Sequence, residues 1–394
     1  RREIEQGLRA GNILGVVSTN ALELGIDIGR LQACIMCGYP GTIASTWQQA
    51  GRAGRRNDTA IAMIVASSNP LDQYIIQHPE FFLESSPEHG LINPNNLYIL
   101  MSHIKCAAFE LPFEDGETFG FDTLDQILEF LEEEKVLRHV GNRWYWTADN
   151  FPADAVSLRT AANENFIIID ITQPKHRVIG ETDRFSAPQL LHEEAIYIHE
   201  GTQYQVEKLD FEEKKAYVRK VDVDYYTDAS LAVTLKVLDV FNTEEEGRTG
   251  RYWGDVMVTS LVTMFKKIKF FTHENLGFGP IHLPPEEMHT TAFWFSISEN
   301  IGRLSPEEIK SGLLGLCNVM VNIAPLYLMC DPKDIRGVVQ IKSPFTQKPT
   351  IYIYDNFPGG VGFSERLYDM EEQLLKAARQ VIMECDCDDG CPSC

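Results

Sequence analysis

Residues 48–56 read Gln-Gln-Ala-Gly-Arg-Ala-Gly-Arg-Arg, and residues 18–29 upstream of them read Ser-Thr-Asn-Ala-Leu-Glu-Leu-Gly-Ile-Asp-Ile-Gly. The later stretch sets Arg52 and Arg55 in the spacing Arg-x-Gly-Arg. Two arginines so placed at the edge of a small α/β domain can reach across a cleft. There they stabilise the charge that builds on a transferring phosphoryl group, where positioning and electrostatics do most of the catalysis. Three short apolar runs surround them, residues 13–17, 33–38 and 60–66, each followed by turn residues or a polar helical stretch. That is the pattern of buried parallel strands. Thr19, Asp27 and residues 48–56 fall just after strands or at helix ends, and open α/β sheets bind their ligands at strand ends.

Half of a phosphoryl-transfer site is missing from this sequence. It holds no Gly-x-x-x-x-Gly-Lys-Ser/Thr loop and no Asp-Glu dipeptide, and it opens with Arg1-Arg2. The chain therefore reads as a fragment, unable to hold a nucleoside triphosphate and its magnesium unaided.

A length of 394 residues implies two to four domains. We read no apolar run long enough to span a bilayer and no signal peptide, so a cytoplasmic protein is the default expectation. The net charge of −22 is unevenly spread. Seven arginines against six acids leave residues 1–75 at +1, so the remainder carries −23. Any nucleic-acid track must then be a local groove, because the overall charge speaks mainly to solubility.

Residues 1–80 are expected to form the end of the α/β domain and residues 81–157 a winged-helix-like segment. In the latter, Thr123 and Gln126 have capping-box spacing, and Leu124, Ile127, Leu128 and Leu131 share a helical face. Gly141-Asn142 then separates two strand-like stretches, 137–140 and 143–146. Arg138, Arg143, Trp144 and Trp146 can offer cations and aromatic faces to a nucleic-acid strand, or the tryptophans can cap a core. Residues 158–247 have the texture of a small β barrel, with strands at 166–171, 195–199, 204–209, 215–221 and 231–239. Residues 248–394 mix strands and helices. Lys266, Lys267 and Lys269 are candidate phosphate contacts or a solvated strand face. Ser305-Pro306-Glu307-Glu308 is a helix start, and one helix is expected over residues 364–384.

Cys385, Cys387, Cys391 and Cys394 follow the pattern Cys-x-Cys-x3-Cys-x2-Cys. Four thiolates form the closed shell of structural zinc, and an iron–sulfur cluster takes the same donors. Cysteines 34, 37, 106, 317 and 330 read as core residues.

In order, the chain has the two opening motifs, a winged-helix-like segment, a β region, Asp-Asn-Phe-Pro-Gly-Gly-Val-Gly-Phe-Ser-Glu at 355–365, and the cysteine cluster. In this it resembles superfamily 2 DNA helicases of the MrfA (YprA) and Hrq type along essentially its whole length, with residues 18–29 and 48–56 as motifs V and VI. The resemblance implies an α/β partial RecA-like domain, a winged helix, a small β-barrel-like region and an α+β zinc-binding domain. It implies the C-terminal part of an ATP-dependent 3′–5′ DNA helicase of DNA repair, using ATP with Mg2+ and structural zinc. Single-stranded or tailed duplex DNA and an upstream RecA-like domain of the same protein would be its partners. By motif position, Gln48, Arg52 and Arg55 would face the phosphates, Gly25 and Asp27 would lie beside the nucleotide, and Thr19 would touch the nucleic-acid backbone. An RNA helicase and a non-catalytic scaffold remain alternatives.

Overall fold

The computed structural model describes residues 2–391 other than 24–30, 55–58, 89, 122, 157–164, 247, 248, 299–303, 386 and 388–390. Gly25, Asp27, Arg55 and Cys394 therefore lie outside the described residues.

The chain opens with α1 (Arg2–Ala10), β1 (Ala33–Cys37), α2 (Ile43–Ala50), β2 (Ile61–Val65), α3 (Pro70–Gln77) and α4 (Pro79–Glu84). β1 and β2 pair in parallel, Ala33 opposite Ile61, with α2 as the crossover between them. Residues 13–17, expected as a third strand, form none. Leu14 is 93% exposed, and a strand without a hydrogen-bonded neighbour has nothing to hold it.

The winged helix follows: α5 (Leu97–Glu110), β3 (Phe113–Glu114), α6 (Leu124–Glu133), β4 (Leu137–Val140) and β5 (Arg143–Trp146). Its sheet runs β3-β5-β4, and Ile104, Leu128, Leu131 and Leu137 form its core. Thr123 sits at the cap of α6, but its side chain makes no capping bond. Its φ of −105° and ψ of 21° lie outside the extended region that aims a cap oxygen at the first turn.

A five-stranded sheet comes next, built from β6 (Asn165–Asp170), β7 (Arg177–Asp183), β8 (Ile196–His199), β9 (Thr202–Asp210) and β10 (Lys215–Lys220) in the order β7-β6-β10-β9-β8. The short α7 (Ala187–Leu190) closes its core.

The largest sheet contains β11 (Tyr225–Val237), β12 (Asn242–Glu246), β13 (Thr249–Lys269), β14 (Asn275–Pro280), β15 (Glu286–Ile297), β16 (Ile335–Gln340) and β17 (Thr350–Asp355). Its order is β11-β13-β15-β17-β16, with β12 and β14 also on β13. It draws strands from both sides of the 247/248 division expected from sequence, because β11 and β12 find their partner in β13. The sheet curls into a nearly closed barrel. Leu235, Tyr252, Val256, Trp294 and Tyr352 fill the inside, and Gln340 Nε2 donates to Leu235 O at 2.8 Å, linking the last strand to the first.

Phe293, Phe295, Ile351 and Ile353 point outward from this barrel onto α8 (Pro306–Leu328), α9 (Phe363–Asp369) and α10 (Glu371–Met383). Leu71 and Ile75 of α3 join the same core, so the opening α/β piece is packed onto the C-terminal region. α8 starts with the expected capping box on Ser305 and Glu308. By length and a mean hydropathy of 1.5 it could cross a membrane, which corrects the reading that no run is long enough. Glu307, Glu308 and Lys310 precede the apolar run, and Asn318 and Asn322 interrupt it. Met320, Ile323 and Ala324 are fully buried against the barrel, as in the core helix of a globular domain. The single helix expected over 364–384 is broken at Met370, which ends α9 and starts α10.

Candidate functional site

Glu23 joins the two quoted stretches. Its carboxylate accepts from Ser45 Oγ at 2.8 Å and from Gln49 Nε2 at 3.1 Å, and its carbonyl accepts from Arg52 Nη2. One residue of the upstream stretch thus grips two turns of α2 and the residue just past its end. The N-terminus of α2 is fixed as firmly. Thr42 Oγ1 accepts from Ser45 N at 3.0 Å, while the Glu88 carboxylate accepts from Ile43 N and from Ala44 N at 2.9 Å. Burial, then the Glu88 charge, pushes the Tyr39 hydroxyl well above its ordinary value. Asp72, buried on α3, accepts from Tyr39 N at 2.9 Å and Ser67 N at 2.7 Å, tying the loops after β1 and β2 together.

Arg52 is half-buried at the C-terminal end of α2. Ala53 bridges Leu31, and Gly54 N donates to Leu31 O at 3.1 Å. The arginine-bearing segment therefore lies at a helix end, as expected, and beside the start of β1, because the crossover helix has carried the chain back along the sheet. Gln48 and Thr19 are both exposed. Sequence reading missed Glu23, Gln49, Asp72 and Glu88. Only Glu23 and Gln49 carried a signal, by lying inside the quoted stretches.

The wing requires a correction. Trp144, expected to contact nucleic acid with Arg143, is 6% exposed. It stacks on His139 at 4.1 Å and donates from Nε1 to Asp115 Oδ1 at 3.0 Å. Neighbours in a strand point to opposite faces, so Trp144 and Trp146 turn toward the core while Arg143 and Tyr145 face out. Arg143 pairs with Glu114 at 2.6 Å. Arg138 is exposed on the neighbouring strand, in register with Tyr145. Lys267 pairs with Glu194 at 3.1 Å, with its ammonium over the Tyr225 and Phe265 rings.

The turn at 355–365 is organised by Asp355. Its carboxylate accepts from the N–H groups of Val361, Gly362, Phe363 and Ser364 at 2.8–3.1 Å and from Ser364 Oγ at 2.6 Å. Burial holds this carboxyl above its ordinary value, against the downward pull of the Ser364 hydroxyl and the N–H groups of Val361, Phe363 and Gly362. Asn96 clasps the turn from the other side. Its Nδ2 donates to Pro358 O at 2.8 Å and Gly360 O at 2.9 Å, and its Oδ1 caps α5 by accepting from Tyr98 N and Ile99 N.

Past α10, the sulfur atoms of Cys385, Cys387 and Cys391 lie within 4.8 Å of one another. Tetrahedral zinc with bonds of ~2.3 Å spaces its sulfurs about 3.8 Å apart, so the trio needs little movement to close on an ion. The adjoining Cys391 and Cys385 thiols push Cys387 up to about 11, and a cation would relieve that crowding. Of the remaining cysteines, 317 and 330 are buried, 34 and 106 half-buried and 37 exposed.

Comparison with known proteins adds independent findings. The MrfA Zn-binding domain matches residues 316–394, the winged helix domain of ATP-dependent helicase HRQ1 matches residues 92–161, and the helicase conserved C-terminal domain matches residues 1–57. The uncharacterized ATP-dependent helicase YprA of Bacillus subtilis is 56% identical over 398 residues, covering 100% of this chain and 53% of YprA. The chain matches the C-terminal region of superfamily 2 helicases of the MrfA/YprA type. Within reach of this family, ATP-dependent helicase HRQ1 of Saccharomyces cerevisiae is 31% identical over 419 residues, 100% of this chain and 38% of that protein. The crystal structure of MrfA bound to DNA and AMPPNP matches at a TM-score of 0.66 and 54% identity, covering 100% of this chain and 52% of that one. The chain thus spans about half the length of YprA and MrfA and matches the C-terminal region of the family. The zinc-binding family match over the three clustered cysteines selects structural zinc over an iron–sulfur cluster.

Proposed function

We propose that this chain is the C-terminal part of an ATP-dependent 3′–5′ DNA helicase that acts in DNA repair in the cytoplasm. The observation that carries the reading is the Glu23 clasp, which holds the stretch containing Thr19 and the stretch containing Gln48 and Arg52 at one edge of the α/β piece. In this reading Arg52 and Arg55 are the fingers that meet the phosphates of ATP and Mg2+ held by an upstream RecA-like domain. Gln48 orients the phosphates, and Gly25 and Asp27 lie beside the nucleotide. Thr19 contacts the backbone of a single-stranded or tailed duplex DNA. Arg143, with its outward neighbours Arg138 and Tyr145, contacts DNA from the wing, and Lys267 contacts phosphate once released from Glu194. Cys394 completes the zinc shell begun by Cys385, Cys387 and Cys391, and the metal braces the end of α10.

The test is ATP turnover by the full-length protein with and without single-stranded DNA, comparing wild type with Arg55→Ala. Loss of a finger lowers turnover on the order of a thousandfold or more, while residues 1–394 alone show no turnover. DNA-stimulated activity that survives in the variant removes Arg55 from the site. Equal stimulation by RNA gives the RNA-helicase reading, and an inert wild type gives the scaffold reading.

A further inference from the structure

A cleft of about 880 Å³ opens between α5 and the outer face of the barrel sheet, bounded on its far side by the 359–362 turn and α9. That volume falls in the roughly 300–1,000 Å³ range of small-ligand sites. None of the residues assigned above to nucleotide, DNA or zinc lines it. Its aromatic groups are Trp253 on β13, Phe241 at 4.8 Å from Trp253 and edge-on to it, and Tyr98 on α5. Phe241 and Tyr98 are each 47% exposed.

The polar groups have two characters. Lys105 and Arg366 stand on opposite walls, and neither has an ion-pair partner among the described residues. Asp255, Glu365 and Asp369 oppose them, and His289 lies 3.4 Å from Asp255. Three carboxylates against two lysine or arginine cations make a poor track for a row of phosphates. Flat, uncharged rings with hydrogen-bonding edges suit such walls. Thr291 also lines the cleft, its hydroxyl turned inward beside Gly360. The cleft also continues. A smaller cavity of about 110 Å³ shares Ser102 and Lys105 with it and reaches Trp146 and Pro152. The two together follow α5 toward the wing, a course suited to an extended chain-like ligand.

We infer that this cleft is a subsite for unstacked bases of a single nucleic-acid strand, held by stacking on Trp253, Phe241 and Tyr98, with Lys105 and Arg366 meeting phosphates only at its edges. The inference rests on the DNA-directed function proposed above. A duplex does not fit it, because paired bases hide their faces and present two charged backbones to the carboxylates.

The experiment uses the full-length protein and an oligothymidylate carrying 5-iodouracil, with photocrosslinks mapped by mass spectrometry. Anisotropy titrations of a fluorescein-labelled oligothymidylate and of a blunt duplex compare wild type with Tyr98→Ala/Phe241→Ala. The altered side chains are half-exposed, so the variant folds, and a matching circular dichroism spectrum checks that. Expected are crosslinks on Trp253, Phe241 or Tyr98, and a single-strand Kd raised roughly tenfold to a hundredfold. The duplex affinity stays the same, and so does the salt dependence of single-strand binding, since no phosphate contact is removed. Crosslinks confined to other regions, or an unchanged single-strand Kd, overturn the subsite while DNA-stimulated ATP turnover leaves the helicase reading standing. A wild type that neither binds the oligonucleotide nor turns over ATP with DNA overturns both.

Discussion

Replacing Asn96 with alanine tests whether the winged helix and the 355–365 turn are fastened through one side chain. Asn96 is 2% exposed and uses both ends of its amide. Its Oδ1 caps α5 through Tyr98 N at 3.0 Å and Ile99 N at 3.3 Å, and loss of such a cap costs about 1 kcal/mol. Its Nδ2 serves Pro358 O and Gly360 O. Gly360 O keeps a longer bond from Asn93 Nδ2 at 3.4 Å, so Pro358 O is the acceptor left bare, at about 1–3 kcal/mol. The variant should therefore lose about 2–4 kcal/mol. The assay is hydrogen exchange read by mass spectrometry, where protection should fall together in residues 97–101 and 356–362. Asn96→Asp separates the two ends. A carboxylate still caps α5, and favourably at a helix N-terminus, but it turns an acceptor toward two carbonyls. Wild-type protection in Asn96→Asp, or a loss confined to α5 in Asn96→Ala, would refute the clasp.

Three further expectations follow from the geometry. Gly360 has φ +70°, and a Cβ there would stand 2.3 Å from Thr291 Oγ1, so Gly360→Ala should cost about 2 kcal/mol or more by denaturant titration. Gly90, with open space around its Cβ position, should tolerate alanine. Chelation of zinc, or Cys391→Ser, should unfold the end of the chain after α10, seen as one zinc lost per chain by elemental analysis together with new protease cleavage beyond residue 383. Burial pushes His192 below its ordinary 6.5, with its ring stacked on Phe265 at 4.7 Å. The unfolded chain then takes up this proton at a higher pH than the folded one. The stability present above pH 6.5 is lost as the pH falls toward the folded value. Denaturant midpoints taken between about pH 7.5 and 5.5 should drop less in His192→Leu than in wild type.

What was legible in the sequence was local. The capping box at Ser305 and the helical face of Leu124, Ile127, Leu128 and Leu131 follow from spacing alone, and the structure has both. Three things were missed, two of them because a partner distant in sequence decides them. β11 reads as part of the preceding β region until β13 claims it across the 247/248 division. Arg143 and Trp144 looked like one patch because they are adjacent, yet adjacency in a strand separates them. The role of Glu23 appears only when α2 folds back over it.

The acidity of the chain gains a meaning from the same contacts. Glu23, Asp72, Glu88 and Asp355 all spend their carboxylates on donors supplied by loops or helix ends. Glu286 is buried and engages Arg184 at 2.7 Å, joining the five-stranded sheet to the barrel. Such acids are internal fasteners. A fixed acceptor can hold several irregular N–H groups at once, which a neutral side chain with a single free oxygen does less well. These contacts leave the net charge of −22 as it is. What matters to a nucleic-acid strand is the local balance where it lands. On the outward face of the wing, Arg138 lies in register with Tyr145, and Arg143 pairs with Glu114. In the α5 cleft, three aromatic side chains stand among three carboxylates and two cations. An acidic protein can hold a polyanion in this way, by its bases first and its phosphates second.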